Sequence, residues 1–297
     1  METIELLQGR TDSNLTPLFL VHAVSGLALP YFALGPLDSS DLARPVYGIT
    51  SPTYSDLRYQ LPASLDKLAA EYVSRIRREI QSTGPYLLGG WSMGGMIAVK
   101  MAQIFEAMGQ RVERVIMVDS ANPETMSQLR ESPELEKRAN GLFEAIASRM
   151  TTGPSNLDYD GSSCACSVCS SCASSCYSQD GTEESLDDEI DLLDRDLIFC
   201  RMRQHIKNGL EIISEAGQKG FLRRKCSTGA VLIRCTTFKP PYRRALPTKH
   251  KGTMGWKSSD FDGGLQVIDF SGDHDGAFDR HHVGELTEIL RRVLSAL

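Results

Sequence analysis

The sequence predicts an α/β fold: a mostly parallel central sheet flanked by helices, with a helical insertion late in the chain. Three observations predict it. Short runs such as Pro17-Leu18-Phe19-Leu20-Val21, Val115-Ile116-Met117-Val118 and Val231-Leu232-Ile233 are apolar at every position, as strands covered on both faces are. The segments between several of them carry apolar residues at helical spacing. More than 100 residues after Val118 then pass with helical patterns and no convincing strand. A chain of 297 residues at 41% hydrophobic is long enough for one large domain, residues 1–297, with an ample core.

Taken in order, residues 4–7 read as a first short strand and 17–21 as a buried one, broken by His22-Ala23-Val24-Ser25-Gly26. Pro45-Val46-Tyr47-Gly48-Ile49 is the next strand. Leu65, Leu68, Ala69, Tyr72, Val73, Ile76 and Ile80 share one helical face, and Gly84-Pro85 is expected to stop that helix. An apolar strand then runs into Gly90-Trp91-Ser92-Met93-Gly94, followed by a helix with Ile97, Ala98, Met101, Ala102, Phe105 and Met108 at helical spacing. The strand at 115–118 ends at Asp119. An insertion at 123–229 follows, with one helix around Leu135, Leu142, Phe143, Ile146 and Ala147, one or two more over 186–213, and a Cys/Ser-rich loop at 162–178. Set above the strand ends, it reads as a lid. Strands at 231–233 and 265–270 complete the sheet, and a last helix turns Val283, Leu286, Ile289, Leu290, Val293 and Leu294 inward.

A G-x-S-x-G between a strand and a helix is the pattern of a nucleophile elbow. The sharp turn strains the serine and requires small neighbours at Gly90 and Gly94, while Gly95 lets the helix approach the sheet. Ser92 is left at a helix N-terminus, where free amides favour developing negative charge. The backbone N–H of Met93 is one expected oxyanion donor, and that of Val24, in the loop after an early strand, is the second. His274, in the glycine-containing loop Ser271-Gly272-Asp273-His274-Asp275-Gly276, is the expected base. Asp119, at a strand's carboxyl end, is the preferred acid, with Asp260 and Asp262 the alternatives and a plain turn aspartate the bland reading. The order Ser, Asp, His is that of the α/β-hydrolase fold. His22 reads as structural, holding its loop by a hydrogen bond; His281 and His282 as helix-start residues; His205 and His250 as residues of the insertion and a polar loop.

These motifs resemble a family. Pro17-Leu18-Phe19-Leu20-Val21-His22, Pro45-Val46-Tyr47-Gly48-Ile49, the stretch from Gly84-Pro85 to Gly94-Gly95, Val118-Asp119-Ser120 and Gly272-Asp273-His274 together look like the thioesterase domains of polyketide synthases and nonribosomal peptide synthetases. The likeness covers nearly the whole chain except the lid. It implies hydrolysis, cyclisation or transfer of acyl chains held as thioesters on the phosphopantetheine arm of a carrier protein, by an acyl-serine route that needs no cofactor and no metal. In that family the acid follows the strand after the elbow helix, which favours Asp119. The chain carries no carrier or synthase module, so it is expected to act in trans on an acyl-loaded carrier, and its lid is longer than expected for the family.

Charge and composition narrow the alternatives. A net charge of −6 without a basic, aromatic-interleaved stripe argues against a general nucleic-acid binder. Neither a signal peptide nor a membrane-spanning run is visible, so a cytoplasmic location is expected; the terminal Ser295-Ala296-Leu297 lacks the basic residue of the usual peroxisomal address. From Cys166 the spacing C-x2-C-x2-C-x3-C matches an iron–sulfur run, but Tyr177 replaces the usual proline and the serine-rich surroundings cannot form a dry shell. A disordered lid loop is the preferred reading, with zinc or a redox disulfide the alternatives. Acids dominate 180–196, whereas 219–257 holds eleven Lys or Arg and no acid, either solvated loops or a docking face for an acidic carrier involving Arg223, Arg224, Arg243 and Arg244. A general carboxylester hydrolase and a non-catalytic binding module are the competing functions.

Overall fold

A computed structural model of the protein describes residues 2–38, 43–125, 132–151, 186–222, 224–237 and 252–297. The Cys/Ser-rich run at 162–178, residues 180–185 of the acidic stretch, and Arg223, Arg243, Arg244 and His250 lie outside the described residues. Strands β1 (Ile4–Gln8), β2 (Leu18–Val21), β3 (Val46–Ile49), β4 (Tyr86–Trp91), β5 (Val112–Val118), β6 (Gly229–Cys235) and β7 (Leu265–Phe270) form one sheet in the order β1-β3-β2-β4-β5-β6-β7. β1 runs antiparallel to β3 and every other pairing is parallel. The α-helices of the described residues are α1 (Leu65–Glu79), α2 (Met93–Ala107), α3 (Ser132–Thr151), α4 (Leu186–Lys219) and α5 (Val283–Ser295).

The continuous apolar strands follow from burial on both sides. In β2, Phe19 and Val21 face the core beneath α1 and α2, while Leu18 and Leu20 face the opposite core beneath α5; in β5, Val115 and Met117 take the first side and Ile116 and Val118 the second. β7 is an edge strand, and Gln266 and Asp269 are accordingly exposed. α1 starts at Ser64, whose hydroxyl accepts the Lys67 N–H at 3.2 Å, with Asp66 in the first turn and Arg77 and Arg78 in the last. Gly84-Pro85 is not what stops it: α1 ends at Glu79, where the Ile76 carbonyl accepts the N–H of both Ile80 and Gln81 and so closes the last turn.

Two features of this sheet position a site. β3 and β4 lie on opposite sides of β2, so the strand order reverses there, and the loops leaving the adjacent carboxyl ends of β2 and β4 open onto one crevice. α4 is a single 34-residue helix, about 50 Å long, packed on α3 and on the turn after β3. No helix of the described residues is long and apolar enough to cross a membrane.

Candidate active site

The turn from β4 into α2 holds Ser92 at φ 57° and ψ −121°, an unfavourable conformation for a residue with a side chain. Its surroundings hold it there. The Ser92 N–H donates to the Val118 carbonyl at 2.9 Å, and its own carbonyl accepts the Ser120 hydroxyl at 2.6 Å. The glycines of the motif are required by contact: a Cβ on Gly94 would lie 2.1 Å from the Val21 carbonyl oxygen, and one on Gly90 would lie 2.4 Å from the Gly94 backbone.

Asp119 leaves the end of β5 at φ 43°, its N–H donating to the Ile233 carbonyl at 2.7 Å. Its buried carboxylate is fixed at both oxygens. Oδ1 accepts the Cys235 N–H at 2.9 Å, and Oδ2 accepts Nδ1–H of His274 at 2.7 Å. Because the carboxylate only accepts, this contact sets the His274 tautomer: Nδ1 carries the proton, and Nε2 is the basic nitrogen of the neutral ring. The loop after β7 is shaped by Asp273, whose Oδ1 accepts the Gly276 N–H at 3.0 Å. Burial alone would depress the imidazole's basicity. The hydrogen bond and charge of Asp119, followed by the charges of Asp275 and Asp273, outweigh it and raise the His274 pKa above its ordinary 6.5.

Ser92 and His274 open onto one cavity of about 280 Å³, walled by Val24, Leu27, Trp91 and Phe278 from the body and by Leu142 and Ile146 from α3. The Trp91 indole lies 5.3 Å from the His274 ring, and Tyr31 ties this corner together by donating to the Val21 carbonyl at 2.6 Å and accepting the Trp91 N–H at 2.8 Å. Arg149, Asp275 and Asp279 are the charged residues of the lining. Val24 borders the cavity and Met93 opens α2 immediately after the serine; no acceptor among the described residues meets either backbone N–H.

His22 lies in the core. Its Nδ1–H donates to the Ala23 carbonyl at 2.6 Å, and its Nε2 accepts the Tyr72 hydroxyl at 2.5 Å. Burial, then the neighbouring His205, lower its pKa to about 3, so it stays neutral. Asp260 and Asp262 do not pair with His274: Asp260 accepts the Lys257 N–H at 2.8 Å, and Asp262 pairs with Lys225 at 3.6 Å. Trp91, Ser120, the Cys235 N–H and His205 were not legible as site residues. Ser120 and Cys235 have a signal in hindsight, one lying two residues past an apolar strand and the other ending one, while His205 sits among the polar Arg203, Gln204 and Lys207 and gives none. Among the described residues no group of three or more His, Cys, Asp or Glu is placed to hold a metal ion.

Residues 16–157 match the thioesterase domain family. Over 99% of its length the chain is 37% identical to thioesterase pytI of Aspergillus terreus, covering 99% of that protein. The chain belongs to the thioesterase family. The thioesterase is also 37% identical to thioesterase pynI of Aspergillus niger over the whole of both chains. A dimodular nonribosomal peptide synthase of Bacillus subtilis matches 46% of the chain at 36% identity, over 6% of its own length. The crystal structure of the NocB thioesterase domain in covalent complex with a fluorophosphonate nocardicin G analog superposes with a TM-score of 0.63 at 20% identity, covering 98% of this chain and 99% of that one, and shares its fold. The protein is thus an enzyme of the α/β-hydrolase type, a thioesterase related to those of polyketide and nonribosomal peptide synthases.

Proposed function

We propose that the thioesterase releases acyl or peptidyl chains from the phosphopantetheine arm of a carrier protein in secondary-metabolite synthesis, through a Ser92–Asp119–His274 triad. The observation that carries this reading is the 2.7 Å contact of His274 with Asp119, beside a strained Ser92 that opens onto the same cavity. Nε2 of His274 takes the Ser92 proton as Oγ attacks the thioester carbonyl, and Asp119 stabilises the imidazolium that forms. The Val24 and Met93 N–H groups bind the oxyanion. The C–S bond then breaks, His274 returns the proton to the departing thiolate, and the acyl group remains as an ester on Ser92. Water, or a hydroxyl or amine of the acyl chain, attacks that ester with His274 as base, and the chain leaves. The apolar walls from Val24, Leu27, Leu142, Ile146 and Phe278 suit a largely apolar acyl chain, and α3, backed by α4, acts as the lid over it.

Matched acyl thioesters and oxygen esters, given to the wild type and to Ser92→Ala, test the reading, with intact-protein mass spectrometry following the acyl adduct. Thioester turnover and an adduct that both vanish in Ser92→Ala are expected. Faster oxygen-ester cleavage would make the protein a general carboxylester hydrolase instead, and an adduct retained by Ser92→Ala would remove Ser92 as nucleophile.

A further inference from the structure

The insertion does more than wall the cavity. Along α4, Arg201, His205 and Gly209 recur at intervals of four and so share one helix face. Arg201 docks that face on the body, its guanidinium donating to the carbonyls of Thr53 and Asp56. One turn on, the buried His205 ring reaches the loop after β2, and its Nδ1 lies 2.9 Å from the Val24 carbonyl oxygen. A carbonyl only accepts, so Nδ1 carries the proton, and a neutral ring has a bare Nε2. That is what the site accommodates: Nε2 is buried without a partner among the described residues, and burial lowers the pKa to about 4. Gly26, at φ +83°, leaves room for the ring, since a Cβ there would lie 2.9 Å from it. A further turn on, a Cβ on Gly209 would lie 2.9 Å from the Val24 side chain and 3.3 Å from the Met93 sulfur, so α4 rests on both residues that carry the oxyanion N–H groups.

A trans peptide points its C=O and N–H in opposite directions. The Val24 N–H belongs to the peptide whose carbonyl, that of Ala23, accepts from His22; the Val24 carbonyl belongs to the next peptide and accepts from His205. The peptide planes on both sides of Val24 are therefore held by buried imidazoles, one from the body and one from the insertion.

We propose that His205 is a positioning residue of the thioesterase: by donating to the Val24 carbonyl from α4, it holds the Val24 N–H in line for the oxyanion and makes a competent site conditional on α4 being docked. This rests on the acyl-serine mechanism proposed above. Loss of the clamp misaligns a donor without deleting it, so the penalty should fall below the roughly 100- to 1000-fold cost of removing an oxyanion donor outright.

The test compares His205→Phe, which keeps a ring of similar size and loses the donor, with His205→Asn, whose amide nitrogen can occupy the place of Nδ1. Single-turnover acylation by the decanoyl thioester of N-acetylcysteamine and inhibition by an alkyl trifluoromethyl ketone, which forms a tetrahedral serine adduct, are measured on the full chain. His205→Phe is expected to slow acylation about 10- to 50-fold and to weaken the ketone by a similar factor, with thioester affinity unchanged, and His205→Asn to stay within about 3-fold of wild type. Wild-type acylation by His205→Phe, or an equal loss in His205→Asn, would overturn the proposal. Should His205→Phe not fold, nitrogen-15 spectra of the wild type decide: His205 must be the neutral Nδ1–H tautomer and its Nδ1 resonance must move on ketone binding, and either failure overturns it. A wild type inert to the thioester would instead defeat the proposed function, while the ketone adduct would still test His205.

Discussion

Asp119→Asn should abolish most of the activity for a reason fixed by the hydrogen bonds around the side chain. The carboxylate accepts from Cys235 N–H on Oδ1 and from His274 on Oδ2. An asparagine must choose, because only one of its two terminal atoms accepts. The Cys235 N–H is a buried backbone donor that cannot turn away, so the amide oxygen takes its place at Oδ1 and the NH₂ group faces His274. Nδ1 must then accept, the imidazole proton moves to Nε2, and the base is protonated on the atom that should receive the Ser92 proton. The same wrong-tautomer substitution in a serine protease lowers kcat by about 10⁴. A loss of about 10³- to 10⁴-fold in kcat is expected here, about 4–5.5 kcal/mol of transition-state stabilisation, with substrate affinity nearly unchanged. Stopped-flow acylation measures the loss, and nitrogen-15 spectra of His274 read the tautomer. Turnover within ten-fold of wild type, or a ring still protonated on Nδ1, would refute the reasoning.

Three further outcomes follow from other parts of the molecule. Asp275 lines the cavity and helps to raise the His274 pKa; Asp275→Asn should move the acid limb of kcat/KM to lower pH, and a limb that stays or moves up contradicts that assignment. His22 and His205 are held near pKa 3 and 4, below the ordinary 6.5, so the unfolded chain binds more protons below pH 6.5 and stability is lost as the pH falls. The loss at pH 5 is about 2 kcal/mol for each, and thermal melts of His205→Asn should fall less steeply than wild type between pH 7 and 5; parallel curves would contradict it. Gly94→Ala places a methyl 2.1 Å from the Val21 carbonyl oxygen and should cost more than about 3 kcal/mol in chemical denaturation, whereas an unchanged midpoint would mean that α2 can shift freely.

The sheet was legible because parallel strands covered on both faces leave unbroken apolar runs, and α1 and α5 because one face of each is buried and the other is wet. Ser92 and its glycines were legible because the elbow's sterics leave little choice of residue. The partner of His274 could only be ranked: Asp119 is set apart from Asp260 and Asp262 by its place at a strand's carboxyl end, and only the fold shows which of them meets His274. The length of α4 was ambiguous because Asn208-Gly209 is a dipeptide that often ends a helix; here the glycine serves a contact with Val24 and Met93 that no local pattern reveals. The partners of His205 and of the buried Lys100, which donates to the Phe221 carbonyl at 2.5 Å and pairs with Asp66 at 3.0 Å, are likewise far away in the chain.

Ser120 links two turns that the sheet already sets side by side. Its hydroxyl bonds to the Ser92 carbonyl, and its own carbonyl accepts the Trp256 indole N–H at 2.7 Å. The spacing between Ser92 and Asp119 is therefore set by β4, β5 and a single hydroxyl just past β5, and none of these belongs to the segment from residue 123 to β6. Grafting that segment between related enzymes is expected to trade one cavity wall for another without disturbing the distance from Ser92 to Asp119. A graft that carried residues 201–209 together with the matching 22–26 loop would keep the α4 contacts intact, and one that divided them would join two halves never fitted to each other.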